Sequence, residues 1–380
     1  MQHCRITRVT PYVVGMGWRN CVFAHVETDD GIDGIGEGSM EHQPQGIAEA
    51  IARLADGHAI GRSAFDTERL VNETVRHEFA RSPIVNSAIA AIEMACWDIV
   101  GKALGVPVYA LLGGRVRDER IPAYALGWHR VGFSESEISE AARAAATAGY
   151  RGLKFDPFDT TARDPDRSAI ERAAGRVRSA REAVGPMVDL MIDGHGRFSP
   201  ASAIAIAQAM EPYGLYWFEE PSDPDSSATL AAVGRNIRTR LATGERCLSR
   251  SSIQAVLETH EVDVLQPDIV HVGGIMEAKK IAAMADALYV PVSFHNPFGP
   301  VATAAALQLD TCTTNVFSQE SCCAFDVPWR FDLVENAPRP VDGHYEVTTA
   351  PGLGVGAFRP DVAAAHPFDP QAVPPLLMRR

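Results

Sequence analysis

From about residue 121 the chain alternates between short apolar runs and longer segments whose apolar residues recur at helical spacing. IPAYALG precedes ESEISEAARAAATAG, GLKFDPF precedes a helical stretch near 168–184, MVDLMID one near 200–211, and YWFEEP one near 226–234. LATGE precedes a stretch near 250–258, VDVLQPD precedes GGIMEAKKIAAMADAL, PVSFH precedes GPVATAAALQL, and VFSQE closes the series. Short apolar runs alternating with longer 3.6-period segments read as βα units. Their repetition predicts a parallel sheet. Eight strands and seven clear helices predict an α/β fold, a (β/α)7β barrel of TIM type.

The first part of the chain has a different texture, α+β rather than alternating. RITRVTPYVV and CVFAHVET read as strands, the DDG at Asp29–Gly31 is a hairpin signal, and GIDGIGEG follows. Helical stretches are expected near 46–56 and 65–79. A stronger helix is expected from about Asn86 to Ala103, with Ile89, Ile92, Met94, Cys96, Ile99 and Val100 on its apolar positions. Asn86 or Ser87 is its expected cap, and Gly105 and Pro107 end it. The last 55 or so residues are rich in Pro and Gly and are expected to fold back onto the N-terminal domain. The expected organisation is a capping domain over 1–120, a barrel over 121–325, and a returning segment over 326–380. A length of 380 residues exceeds what one hydrophobic core usually serves, which agrees with two domains.

Charged residues punctuate the strand ends evenly. Asp193, Glu219 and Glu245 are each 26 residues apart, and Asp268, His295 and Glu320 follow at gaps of 23, 27 and 25. Each ends or closely follows one of the apolar runs. In a (β/α) barrel all C-terminal strand ends meet at one mouth, so the spacing predicts that these six side chains share a pocket.

Three carboxylates on adjacent strand ends make an oxygen-rich site of the kind hard divalent cations prefer, and Mg2+ keeps positions for water and substrate. Alone, each acid would read as a solvated loop residue; their joint spacing argues for a metal site. Asp268 beside His295 would orient an imidazole and raise its proton affinity, as a general base requires. His195 lies two residues beyond Asp193, so continued extension would turn both the same way. It is expected as a proton donor to a leaving group, with metal ligation or a structural role as alternatives. Lys154 and Asp156 face the mouth by the same two-residue period. Lys154 either neutralises a substrate carboxylate or oxyanion, or simply pairs with Asp156. Glu320, if protonated by its acidic surroundings, could hydrogen-bond the reacting carboxylate. Asp156, Arg19, Trp18, His42, Arg81 and Trp128 are further candidates for substrate contact.

Bulk properties narrow the partners. The net charge of −13 argues against nucleic acid and anionic membranes. No apolar run approaches the roughly 20 residues that span a bilayer, and MQHCRITRVTPYVV lacks a signal-peptide core, so a cytoplasmic location is expected. Seven scattered cysteines without a C-x-x-C pair read as reduced thiols. GIGEG is a poor match to a phosphate loop.

At these residues the chain resembles the enolase superfamily, mandelate-racemase subgroup. The likeness runs through SAIAAIEMACWDIVGKALGVPVYALLGG, IDGHGRF, WFEEP, TGE, QPD, FHNPFGPVA, SQES and PGLGV, covering nearly the whole chain. It implies one Mg2+ per subunit on Asp193, Glu219 and Glu245, an Asp268–His295 dyad, and Glu320 beside the substrate carboxylate. The Asp-x-His-Gly-Arg pattern at Asp193–Arg197 is most similar to the galactonate-dehydratase branch, where that histidine is a general acid. Two-base racemases of the subgroup carry Lys-x-Lys on the second barrel strand, whereas this chain has Lys154-Phe155-Asp156. The resemblance therefore implies dehydration of a sugar acid, an aldonate, to a 2-keto-3-deoxy acid by a homo-oligomer. The alternatives are an epimerase, racemase or cycloisomerase on the same scaffold, or a non-catalytic binder of acid sugars.

Overall fold

The computed structural model describes residues 4–78, 81–117, 120–129, 134–322 and 327–372. The N-terminal body opens with a three-stranded antiparallel sheet of β1 (Ile6–Gly15), β2 (Asn20–Thr28) and β3 (Asp33–Glu37). The Asp29–Gly31 turn joins β2 to β3, so the third strand lies inside GIDGIGEG. Its glycines are there for packing. A Cβ on Gly36 would lie 1.8 Å from the carbonyl oxygen of Ala91, on the long helix that crosses the sheet.

That sheet is covered by α1 (Pro44–Leu54) and α3 (Pro83–Leu104), and α2 (Thr67–His77) packs against α3. Helix α3 starts earlier than its apolar periodicity predicts. Pro83 occupies the first turn, and the cap is Ser82, whose side chain accepts from the Val85 N–H, rather than Asn86 or Ser87. It is also the exception to the expectation that no segment reaches bilayer-spanning length. By length and composition it qualifies, but 83% of its most apolar stretch is buried within the protein.

After the short α4 (Val108–Leu111) the chain enters the barrel. In order come β4 (Arg120–Ala125), α5 (Glu135–Thr147), β5 (Gly152–Phe155), α6 (Arg167–Val184), β6 (Asp189–Asp193), α7 (Pro200–Met210), β7 (Trp217–Glu219) and α8 (Ser227–Gly234). Then follow β8 (Arg240–Thr243), α9 (Arg250–Leu257), β9 (Val264–Leu265), the four-residue α10 (Ile269–Val272), α11 (Ile275–Asp286), α12 (Pro300–Cys312) and β10 (Gln319–Ser321). Strands β4 to β9 pair in parallel in sequence order, and β10 pairs with β4.

The expected strand VPVSFH is present only as single bridges, Leu265 to Val292, Val292 to Val316 and Asp268 to His295, which close the ring. Pro267 and Pro291 bring no N–H to the ladder, which limits regular pairing here. Beyond the barrel, β11 (His344–Glu346) pairs antiparallel with the first half of β4, Arg120 to Pro122. Helix α13 (Pro360–Ala365) and its surroundings return to β1 and β2: Phe358 packs against Tyr12 and Phe23, and Gly15 N–H donates to the His366 carbonyl.

Two buried carboxylates lock the bodies together by capping barrel helices from outside. Glu37, at the end of β3, accepts from the N–H groups of Gly299 (2.6 Å), Val301 (3.1 Å) and Ala302 (2.8 Å) at the start of α12. Glu93, inside α3, accepts from Ile275 (2.8 Å) and Met276 (3.0 Å) at the start of α11, and from the Trp97 indole. The first N–H groups of a helix lack internal partners and favour an acceptor, which offsets part of the cost of burying these carboxyl groups.

Burial pushes the Glu93 carboxyl up to about 7, against the hydrogen bonds from Met276, Ile275 and Trp97. A carboxyl raised in the folded state contributes stability that is fully present below its ordinary value of 4.5 and is lost as the pH rises through 7. Glu93→Ala is therefore expected to cost about 1–3 kcal/mol by urea unfolding at the acid end of this window. The deficit should shrink by pH 7.5. A deficit that stays constant across the window would contradict this account of Glu93.

Candidate active site

Strands β6 and β7 run in parallel register with Asp193 opposite Glu219, and Glu245 stands just past the end of β8. Carboxylate oxygens of all three lie within 4.8 Å of one another. Glu219 Oε1 accepts from Lys154 Nζ at 2.7 Å, while its Oε2 accepts from Gln266 Nε2 at 2.9 Å and Trp217 Nε1 at 3.2 Å. Asp193 Oδ1 accepts from the His195 N–H at 2.7 Å. Glu245 Oε2 is buried without an aligned hydrogen bond, although His295 Nε2 is 3.0 Å away. Trp217 and Gln266 were not among the sequence candidates. Trp217 was legible as the residue two before Glu219 on one strand, hence on the same face.

The electrostatics fit a cation. Burial pushes Asp193 and Glu219 above the usual carboxylate range; His195 offsets part of this for Asp193 and Lys154 for Glu219, while neighbouring acids, Glu245 beside Asp193 and Asp193 and Glu320 beside Glu219, add to it. Burial opposes the charge on Lys154, but Glu219 and Glu320 outweigh it and hold the ammonium well above the ordinary lysine range. A cluster of hard oxygen donors, one of them orphaned, is the donor chemistry of a divalent-ion site.

Lys154 Nζ lies 2.7 Å from Glu219 and 2.5 Å from Glu320, so its partners are these two acids rather than Asp156. This also corrects the expectation of a protonated Glu320. Burial would raise its pKa, but Lys154 and then His295 outweigh burial and hold it below the ordinary value. Glu320 Oε2 accepts from the Asn296 N–H at 2.7 Å, fixing the residue after His295.

His295 Nδ1 and Asp268 Oδ2 are 2.7 Å apart, and the two backbones meet in a parallel bridge. Asp268 Oδ1 caps α10 through Val270 and His271. Burial raises Asp268, yet His271 and His295 hold it below the ordinary value. His271, absent from the sequence candidates, bonds through Nδ1 to the Glu245 carbonyl at 2.9 Å and so supports the third acid of the triad. Burial disfavours a charged His295, but Glu245 and Glu320 more than reverse this. A cation on the triad would cancel the part due to Glu245.

His195 reaches the triad, but not by continued extension. Its φ is +48°, a left-handed turn closed by its own N–H on Asp193. Its Nε2 is 3.2 Å from Asp193 Oδ2 and its Nδ1 is 3.3 Å from Asp156 Oδ2. Arg246 Nη2 donates to the His195 carbonyl at 2.6 Å, and Arg246 Nε pairs with buried Glu220 at 2.8 Å.

The remaining candidates separate from this group. Trp128 donates to the Lys154 carbonyl at 2.9 Å and packs on Phe155, supporting β5. Arg81 is within 3.8 Å of Glu277 on α11. Arg19 is buried, stacks 3.3 Å over Trp18, and donates to Cys322 Sγ, two residues beyond Glu320. His42 is exposed. For these, the sequence offered residue type without a spacing rule.

Residues 137–360 match the model described as enolase C-terminal domain-like, and residues 4–113 match the N-terminal domain of mandelate racemase / muconate lactonizing enzyme. The chain belongs to the mandelate racemase / muconate lactonizing enzyme family of the enolase superfamily. It is 35% identical to a D-galactonate dehydratase of Ralstonia pickettii over 357 residues, 92% of this chain and 91% of that one. It is 34% identical to a D-gluconate dehydratase of Thermoproteus tenax over 93% of this chain and 71% of that one. The crystal structure of a mandelate racemase/muconate lactonizing enzyme from Jannaschia sp. CCS1 matches with a TM-score of 0.89 and 32% identity, covering 96% of this chain and 98% of that one. The capped barrel is thus a family property.

A divalent cation held by the triad should stabilise the fold by mass action, about 2.7 kcal/mol at 100 times its Kd. Adding MgCl2 is expected to raise the melting temperature of the wild type and to leave that of an Asp193→Asn, Glu245→Gln double variant unmoved. Equal shifts in both proteins would show that the ion binds elsewhere.

Proposed function

We propose that the protein is a Mg2+-dependent sugar-acid dehydratase that converts an aldonate to its 2-keto-3-deoxy acid. The observation that carries this reading is a pair of imidazoles, one reaching the triad at Asp193 and the other at Glu245. Asp193, Glu219 and Glu245 would hold the ion, which when bound supplies a positive centre for the substrate carboxylate and for charge developing on it.

His295 Nε2 removes the proton from the carbon bearing the carboxylate, with Asp268 anchoring its Nδ1 side. The electron pair left behind moves into the carboxylate to give an enediolate, and the Lys154 ammonium, steadied by Glu219 and Glu320, lies ready for that charge. Return of the pair expels the hydroxyl on the next carbon. His195 protonates it as it leaves, so one water departs. The enol that remains tautomerises to the 2-keto-3-deoxy acid.

The names carried by the relatives, gluconate and galactonate dehydratases, support an aldonate of five or six carbons such as galactonate, gluconate or arabinonate. Asp156 in place of a second lysine supports chemistry initiated from one face. One observation favours a second reading: His195 also has a carboxylate neighbour, and an imidazole so held could return a proton to the opposite face, as an epimerase requires.

A panel of aldonates incubated with the protein and MgCl2, with keto product trapped by semicarbazide, tests the assignment. At least one aldonate is expected to give a 2-keto-3-deoxy acid. His295→Asn should abolish both product formation and α-deuterium uptake in D2O. An epimer formed from one aldonate, with keto acid from none, would replace the dehydratase by the epimerase.

A further inference from the structure

Asp156 follows β5 at the position where the Lys-x-Lys pattern would place a second lysine. Its oxygens are engaged by the protein: Oδ1 accepts from the Phe158 N–H at 2.9 Å, and Oδ2 accepts from Arg197 Nη2 at 2.9 Å and lies 3.3 Å from His195 Nδ1. We propose that Asp156 is a positioning residue for His195, holding the Nδ1 side of the imidazole so that Nε2 faces the substrate. This rests on the dehydratase reading for its consequence, and on geometry for its existence.

The arrangement repeats that of the base on the far side of the triad. In both cases an aspartate at one strand end faces the Nδ1 of a histidine carried beyond the next strand. Nε2 then points inward, 3.2 Å from Asp193 for His195 and 3.0 Å from Glu245 for His295. A carboxylate facing Nδ1 holds the ring in one orientation with Nδ1–H turned towards it; Nε2 is then the nitrogen that accepts a proton in the base His295 and, carrying the ring's second proton, the one that gives it up in the acid His195. The Asp156 contact is the longer of the two, and its N–H is off the line of the acceptor. Such bonds commonly tighten when substrate binds.

The His195 backbone is fixed by other groups, namely Asp193 at its N–H and Arg246 at its carbonyl. What Asp156 adds is therefore control of the ring. Arg197 ties the two together, since it donates to Asp156 and, through Nε, to the Gly194 carbonyl at 2.9 Å in the same turn. A substrate-contact role for Asp156, expected from the sequence, is at odds with this use of its oxygens.

The test uses the full chain with MgCl2. In Asp156→Asn the dehydration kcat is expected to fall roughly 10²-fold, the scale of a lost general acid, with KM changing much less. The α-proton of recovered aldonate should still exchange in D2O, because His295 is untouched. A purely structural lesion would lower both reactions together, and that result overturns the proposal, as does unchanged dehydration.

An activity-independent readout is the long-range 1H–15N spectrum of histidine-labelled protein, with His195 identified by its disappearance in His195→Gln. The wild type should show His195 protonated at Nδ1, and Asp156→Asn should alter that ring while leaving His295 unchanged. Identical His195 spectra overturn the proposal even if the wild type dehydrates no aldonate, an outcome that would separately remove the dehydratase reading. If Asp156→Asn does not fold, Asp156→Glu, which keeps the charge beside Arg197 but displaces it, is expected to show the same split between exchange and elimination.

Discussion

The organising constraint is negative charge held out of water. Asp193, Glu219, Glu220, Glu245, Asp268 and Glu320 are all buried around one barrel mouth. Two like charges about 4 Å apart repel by about 4 kcal/mol at an effective dielectric near 20. Such a cluster persists only with counter-charge, and the neighbouring residues read as its supply. Lys154 bridges Glu219 and Glu320, Arg246 answers Glu220, and two imidazoles approach Asp193 and Glu245. The triad itself keeps an excess of negative charge, which is the reason a divalent ion suits it.

Placement of these groups relies on two kinds of rigidity. Strand ends set the acids at fixed intervals around the mouth. The N-terminal body then clamps the barrel helices, with Glu37 seated on the start of α12 and Glu93 on the start of α11. The segment from His295 to α12 is thereby fixed at one end by its bond to Asp268 and at the other by Glu37. Glu320 bonds the Asn296 N–H between them. A reaction that moves a proton over a fraction of an ångström needs a base held this firmly.

Much of the site was readable in advance because strand-end spacing converts directly into position. The six evenly spaced residues needed only the barrel topology to converge, and the structure gathers them. His195 lies beside Asp193 for a reason that the two-residue period does not supply. A two-residue period assumes that the strand continues, but the chain turns left-handed at His195 and uses its own N–H to close on Asp193. Glu320 lies at the mouth as its spacing predicts, but Lys154 holds it ionised where acidic surroundings alone would favour the protonated form. The cap candidates carried no such spacing rule. Arg81 and His42 were chosen by chemistry alone, and Arg81 is engaged with Glu277.

By itself, the sequence determined the barrel, the acid triad, the Asp268–His295 dyad and the departure from Lys-x-Lys, since periodicity and spacing are properties of the chain. It could not determine pairings for which strand-end spacing supplies no rule. Lys154 choosing Glu219 and Glu320 over Asp156, Asp156 turning to His195 and Arg197, and Arg246 bracing the His195 carbonyl were decided only by the tertiary structure. The physical reason is that a buried charge takes whichever partner three-dimensional packing brings within a few ångströms, and that distance is not written in residue numbers.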